Sequence, residues 1–233
     1  AARIQYNSYY SSQNLPRKYD VMNFQEYAEF QALTSPNNGM FVNQKTGEMH
    51  NFDPNIRSVD WQDEVYRTGF IQNHSLSMQN STEKTNFMIS SSFMQNQSII
   101  KETDWKKFTA KMSVDHSISS KLKVGADIYY NRVSDKGVPT GGGDGSAIGT
   151  IIGTILARPF ILDETTQAYF RRAGVDQGTI DSDLAGYRDN PLNMVRSIDM
   201  TKVMENTTIN AYAEYKILNN MILKITGGYN TYN

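Results

Sequence analysis

Three runs of alternating apolar and polar residues follow one another between Lys84 and Ser134, with short breaks between them. In the middle run, the residues that share one face are Phe108, Ala110, Met112, Val114, His116 and Ile118. In the third run, they are Leu122, Val124, Ala126, Ile128 and Tyr130. A period of two is typical of β-strands with one apolar and one polar side. The pattern therefore predicts an antiparallel β-meander.

Along the whole chain the alternation predicts about seven strands, at 3–13, 69–79, 84–96, 104–118, 121–134, 201–216 and 221–232. Two long stretches without sustained periodicity, 14–68 and 135–200, interrupt them. Within the first, Asn23 and Glu26 have the spacing of a capping box and predict a helix at 23–33. Within the second, we expect a helix at 146–157. A connection of this length in a compact domain is either functional or partly structured.

The order of the connections predicts which kind of sheet this is. In an up-and-down meander every second connection lies at the same end, so both long stretches share one end and the tight turns share the other. Outer-membrane barrels have short periplasmic turns and long extracellular loops. The predicted fold is all-β: a meander forming part of a transmembrane β-barrel wall, with short helices in two long extracellular loops. A soluble β-sandwich or soluble barrel is the alternative, although its strands are usually about 5–6 residues long.

The composition argues against several classes of function. The net charge is −1, so there is no basic surface that would predict nucleic-acid binding. The chain has no Cys, and its three His residues are far apart in sequence, so we expect neither a metal site nor a cofactor. No nucleophile elbow or phosphate-binding loop occurs, and we expect no enzyme activity. Asp181 and Asp183 resemble part of a calcium loop that lacks its terminal Glu, and a solvated acidic loop is the preferred interpretation.

Several segments resemble one family of barrel proteins. Residues 61–74, WQDEVYRTGFIQNH, resemble the start of an early barrel strand in SusC/RagA-like TonB-dependent outer-membrane transporters. Residues 83–87 and 98–108 resemble the next hairpin of that family, and Asn190-Pro191-Leu192 fits its later register. The resemblance is strongest from Trp61 to Ser134 and weakest in the two long stretches.

The resemblance implies a location, partners and an activity. Such transporters form a 22-stranded barrel plugged by an N-terminal domain, pair with a SusD-like surface lipoprotein, and import glycans or peptides with energy from TonB. Residues 1–233 would then be the N-terminal part of the barrel domain without its plug, in the bacterial outer membrane. A glycan or oligosaccharide is the first candidate solute and a peptide the second. The alternative is a non-transporting surface-binding or adhesin-like β protein.

Two sets of site residues follow. The residues expected to face lipid are Phe108, Met112, Val114, Leu122, Val124, Ala126 and Ile128. The residues expected to contact solute or the lipoprotein are Tyr169, Arg171, Tyr187 and Arg188, because sugars pack on aromatic rings and need hydrogen-bond partners for their hydroxyls. Phe41, Phe52 and Trp61 are further candidate aromatic platforms in the first long stretch. For Trp61 and Tyr66 the preferred interpretation is an anchor at the membrane interface.

Overall fold

The computed structural model describes residues 2–137, 150–186, 190–197 and 200–233. Its strands form one antiparallel sheet in sequence order: β1 Arg3–Gln13, β2 Gly69–Ser81, β3 Thr85–Gln97, β4 Asp104–Ser117, β5 Leu122–Gly137, β6 Met200–Leu218 and β7 Met221–Tyr232. The predicted meander of seven long strands is confirmed. Each strand except β1 and β7 differs from its predicted bounds by one to three residues at an end, where alternation gives the weakest signal.

The register keeps the apolar residues of neighbouring strands on one face. Met112 of β4 pairs with Ile128 of β5, and Ile128 pairs in turn with Ile209 of β6. One row further along, Val114 pairs with Ala126. Because side chains alternate between faces with a period of two, one in-register row determines the face on which each of the remaining residues of those strands lies. The sheet therefore has one apolar and one polar face.

The helices lie in the two stretches between strands: α1 Phe24–Thr34, α2 Trp61–Val65, α3 Thr150–Leu156, α4 Glu164–Arg172, α5 Gln177–Gly186 and α6 Pro191–Ser197. The capping box before α1 is present, since the Asn23 side chain accepts from the Glu26 amide and the Glu26 carboxylate accepts from the Asn23 amide. Of the predicted helix at 146–157, residues 146–149 lie outside the described residues. Among the helices described, none is both long and apolar enough to cross a membrane.

The chain forms two compact units. The sheet unit comprises Ala1–Asn14, Arg67–Gly137 and Asp199–Asn233, and the loop unit comprises Leu15–Tyr66 and Val138–Ile198. Nearly all buried apolar side chains belong to the loop unit; in the described part of the sheet unit, Ile100 is the one that is fully buried. The loop unit therefore has a hydrophobic core of its own, whereas the sheet unit leaves its apolar face uncovered by its own residues.

Candidate functional site

The polar face of the sheet carries a charged cluster that spans four strands. Tyr212 of β6 lies next to Gly125 of β5, and its hydroxyl donates to Asp115 of β4. The ammonium of Lys224 stands 4.4 Å from the centre of the Tyr212 ring, and that of Lys123 stands 5.7 Å from it. Ammonium groups at this range are attracted by the negative face of an aromatic ring. Two salt bridges complete the cluster, Lys123 to Asp115 at 3.8 Å and Lys224 to Glu214 at 2.8 Å.

The seven residues predicted to face lipid all lie on the apolar face. The register puts Val114 opposite Ala126 and Met112 opposite Ile128. Further along β5, Val124 pairs with Ala213 of β6 and Leu122 pairs with Tyr215 of β6. Phe108, Met112 and Ile128 are 40–42% exposed. Long apolar side chains exposed on one continuous face are typical of a lipid-facing surface. That assignment of the seven remains a prediction.

Each histidine has its own local partners, so the three do not form a site together. The two ring nitrogens of His50 lie 3.1 Å from the Ala173 carbonyl oxygen and 3.2 Å from that of Gly39. On the apolar face, His74 is bonded to the hydroxyls of Tyr6 and Tyr10, and His116 to the hydroxyl of Thr85. No group of three potential metal ligands occurs in the described ranges.

The acidic residues that resembled a calcium loop lie on a helix. Asp181 and Asp183 belong to α5, where residues two apart point to different sides. The Asp183 carboxylate instead forms a salt bridge with the buried guanidinium of Arg158. Asp189, the next acidic residue along the chain, lies outside the described residues.

Two of the predicted aromatic platforms are core residues of the loop unit. Phe41 and Phe52 are 4% and 7% exposed, and both contact Phe170. Phe24 and Phe160 complete this phenylalanine cluster, with ring centres 5.3 Å apart and nearly perpendicular planes. Edge-to-face packing of this kind stabilises a core. The prediction that Phe41 and Phe52 form ligand platforms is therefore wrong, because their rings are enclosed.

Trp61 is likewise buried, at 3% exposure, rather than lying on an open surface. Its indole nitrogen donates to the Arg158 carbonyl at 2.8 Å, and the Arg158 guanidinium lies 4.8 Å from the centre of the Phe160 ring. Trp61 thus joins α2 to the segment after α3. An open platform or an interfacial anchor needs an exposed ring, so both interpretations of Trp61 are wrong. Tyr66 ends α2, and burial raises the pKa of its hydroxyl above the ordinary value.

The predicted solute-contact residues are only partly within the described chain. Tyr169 and Arg171 lie on α4, two residues apart, and therefore point to different sides of the helix. Tyr169 packs partly against the core, with the Arg172 guanidinium 5.7 Å from its ring centre. Arg171 is exposed and donates to the Gln177 side chain at 3.0 Å. Tyr187 and Arg188 lie outside the described residues.

A pocket in the loop unit was not predicted from the sequence. It has a volume of about 330 Å³ and is lined mainly by apolar residues of α1, α2, α3 and the segments next to them, among them Phe30, Trp61 and Leu156. Such a volume lies at the small end of the range for ligand pockets, about 300–1,000 Å³. The signal that could have revealed it is α1 itself, because this helix has apolar residues on two sides rather than one.

Hydrogen bonds fix the walls of this pocket. The Gln62 side chain, 1% exposed, accepts from the Tyr19 amide at 2.8 Å and donates to the Tyr19 carbonyl at 2.9 Å. This amide pair holds the segment before α1 against α2 and places Asp20 at the pocket wall. Beside it, the ammonium of Lys18 is paired with Asp63, and that hydrogen bond raises the pKa of Lys18. On the other side, the Val59 amide donates to the Pro159 carbonyl at 2.8 Å.

Comparison with known proteins adds sequence relatives, although no protein-family model matches the chain. TonB-dependent receptor P3 of Formosa agariphila is 23% identical over 231 residues, a match that covers 99% of this chain and 21% of that protein. TonB-dependent receptor SusC of Bacteroides thetaiotaomicron is 25% identical over 147 residues, covering 61% of this chain and 14% of SusC. The chain thus spans about a fifth of the length of the first relative.

The fold also matches solved structures along its whole length. The RagAB peptide importer in its closed-closed state superposes with a TM-score of 0.65 at 14% identity, covering 100% of this chain and 28% of that chain. Its open-open state superposes with a TM-score of 0.64 at the same identity and coverage. At this identity the similarity shows the fold.

A meander of long strands with one apolar and one polar face, matching part of the longer RagAB chain, has the fold of a segment of a β-barrel wall. The two sequence relatives, both named TonB-dependent receptors, confirm the resemblance seen in the sequence: the chain is similar to a segment of a SusC/RagA-like TonB-dependent receptor. Both relatives are named as receptors, and neither name describes an enzyme.

Proposed function

We propose that the complete protein imports a nutrient across the outer membrane and that this chain supplies part of its barrel wall and two extracellular loops. The main observation in support is that the apolar residues of the sheet unit lie on one face across its strands, and that almost none of them are buried. In a barrel wall that face contacts lipid and the polar face lines the interior. The lipid-facing residues would include Phe108, Met112, Val114, Leu122, Val124, Ala126 and Ile128.

The proposed partners are those that the family resemblance implies. A SusD-like lipoprotein would cover the extracellular mouth, and the TonB complex would act through a part of the protein outside this chain. The match to SusC and the match to the RagAB importer support this proposal. Outer-membrane lipid would surround the apolar face of the wall.

Two solute classes are proposed. A glycan or oligosaccharide is supported by the aromatic and arginine residues of the second long stretch, Tyr169, Arg171, Tyr187 and Arg188, which would pack on sugar rings and donate to hydroxyls. A peptide is supported by the fold match to a peptide importer and by the apolar pocket of the loop unit.

Deletion of the gene in its native host tests whether the protein is an importer. We expect growth on one sole nutrient, either an oligosaccharide or a peptide mixture, to fail and to return when the gene is restored. Growth that is unchanged on every nutrient, together with loss of attachment to a surface, would instead support the adhesin-like alternative.

Alanine substitution of Tyr169, Arg171, Tyr187 and Arg188 tests the contact residues. We expect uptake or recovery of the lipoprotein complex to fall while the amount of assembled barrel stays constant. Arg57→Ala is the control, because Arg57 is another exposed arginine of the first long stretch. Normal uptake and normal complex recovery in the fourfold variant would remove these residues from the proposal.

A further inference from the structure

The helix α1 has two apolar sides, and the core covers one of them. Phe24 and Ala28 face the core and are 3% and 0% exposed. Phe30 and Leu33 lie on the other side and are 44% and 84% exposed. A surface helix normally carries polar residues on its outer side, and contiguous exposed apolar patches are typical of interaction sites. The outer side of α1 is therefore a candidate binding surface.

The pocket of about 330 Å³ lies beside the outer side of α1, so the candidate binding surface includes a cavity. Phe30 and Trp61 line it, together with Met22 and Leu156, which are 43% and 67% exposed. Among the residues that line the pocket, Asp20 is the one with a charged side chain, and this side chain is exposed. An apolar pocket with one carboxylate at its wall fits an apolar group with a cationic neighbour.

The net charge of the whole loop unit also favours a ligand with a cationic group. Its segments contain nine Lys and Arg against fifteen Asp and Glu, a net charge of −6, although the chain as a whole carries −1. A surface of one sign attracts ligands of the other sign and raises their association rate. The pocket thus lies in a unit that favours cationic ligands.

We propose that this pocket binds a peptide through one apolar side chain whose neighbouring residue, or whose own amino group, is cationic. This inference rests on the proposed import function and names the solute class for the loop unit. An apolar side chain gains free energy when apolar walls remove it from water. A sugar would instead leave several hydroxyls without partners there, which is unfavourable. Asp20 would pair with the cation at the pocket wall.

Peptide binding to the complete transporter, purified in detergent with its lipoprotein, tests the proposal. The probes are four tetrapeptides, Gly-Leu-Lys-Gly, Gly-Ser-Lys-Gly, Gly-Leu-Glu-Gly and Gly-Ser-Glu-Gly, and one neutral oligosaccharide, maltoheptaose. We expect Gly-Leu-Lys-Gly to bind most tightly. Replacing Leu by Ser should weaken binding about tenfold or more, from the loss of a buried leucine side chain. Replacing Lys by Glu should weaken it about threefold or more.

Three substitutions locate the site. Asp20→Lys should abolish the preference for Lys over Glu in the peptide, and Ala157→Phe should block the pocket, which Ala157 lines. Phe30→Ala removes a wall with less risk to folding, because Phe30 is exposed. Glu29→Lys is the matched control, since it makes the same charge change on the exposed surface of α1 outside the pocket.

Several outcomes would overturn the proposal. One is equal effects of Asp20→Lys and Glu29→Lys, which would show that only long-range charge matters. Another is tighter binding of maltoheptaose than of any peptide. A third is loss of lipoprotein recovery in Ala157→Phe with peptide binding intact, which would make the pocket a docking site for the lipoprotein. Failure of the import function itself is distinguishable, because it would appear as normal growth of the deletion strain on every nutrient.

Discussion

The ring of Tyr212 occupies the space that a side chain at Gly125 would need. A Cβ atom added to Gly125 would come within 2.3 Å of Tyr212 Cε1 and 2.5 Å of Asp115 Oδ1. Because Gly125 has no side chain, the Tyr212 hydroxyl reaches across β5 from β6 and donates to Asp115 on β4. One side chain therefore links three neighbouring strands on the polar face of the wall.

This relationship predicts that Gly125→Ala destabilises the barrel. The added methyl group would displace the Tyr212 ring and separate its hydroxyl from Asp115, and overpacking of this kind typically costs about 1–3 kcal/mol. Urea unfolding of the full-length protein in detergent measures the change. Gly227→Ala on β7 is the control, because a Cβ there would meet no atom within 4 Å. Equal destabilisation by the two substitutions would show that the Tyr212 contact is unimportant.

The assignment of faces predicts opposite responses from neighbouring residues of β4. Met112→Arg would place a charge on the apolar face near the middle of the strand, and such a charge costs about 2–4 kcal/mol in a lipid-facing position. Lys111→Ser, on the polar face, should be mild. Folding of the full-length protein into lipid bilayers measures both. If Met112→Arg folds as well as Lys111→Ser, Met112 does not face lipid.

The sheet and the helix α1 could be predicted from the sequence, whereas the core of the loop unit could not, for a physical reason. A strand with one apolar and one polar side imposes a period of two on its own residues, so β4 and β5 are visible locally. The core of the loop unit instead joins Phe41 and Phe52 to Phe160 and Phe170, which are more than a hundred residues away in the chain. Contacts between residues so far apart in the chain leave no periodic pattern in the local sequence. Exposed aromatic platforms were therefore predicted where the structure has buried rings.

The same limit applies to the pocket. Its walls come from α1 and the segment before it, from α2 and the segment before it, and from α3 and the segment after it, which are distant in sequence. Among its residues the sequence pattern identifies only Trp61 as a candidate site residue, and for a different role. The local signal is the pair Phe30 and Leu33 on the outer side of α1, whereas the capping box at Asn23 predicts the helix without showing that its outer side is apolar.

Truncation of the phenylalanine cluster should destabilise the loop unit. Phe170 is fully buried and contacts the rings of Phe24, Phe41, Phe52 and Phe160. Replacing a buried phenylalanine by alanine typically costs about 3–5 kcal/mol. We therefore expect Phe170→Ala to speed tryptic cleavage within the loop unit of the intact transporter. Leu33→Ala, at a position 84% exposed, is the control and should leave the cleavage rate unchanged.

Asp176 gives the start of α5 a dependence on pH. Its carboxylate accepts from the Thr179 amide at 2.9 Å and from the Thr179 hydroxyl. The bond from the hydroxyl is the larger cause, and together the two bonds lower the pKa of Asp176 below its ordinary value. A carboxyl group whose pKa is lowered in the folded state stabilises it above the unfolded-state pKa, and that stabilisation is lost as the pH falls through the folded-state pKa.

Hydrogen exchange of the α5 amides in the intact transporter, corrected for intrinsic rates, should therefore show less protection at acidic than at neutral pH. Asp176→Asn should remove most of this pH dependence, because asparagine caps a helix without titrating. Thr179→Val should reduce both the protection and its pH dependence, since it removes the hydroxyl that contributes most to the lowered pKa. The control is Asp163, which caps α4 through the Thr166 amide. Asp163→Asn should leave the pH profile of α5 as it is. An unchanged profile in Asp176→Asn would show that another group controls the start of this helix.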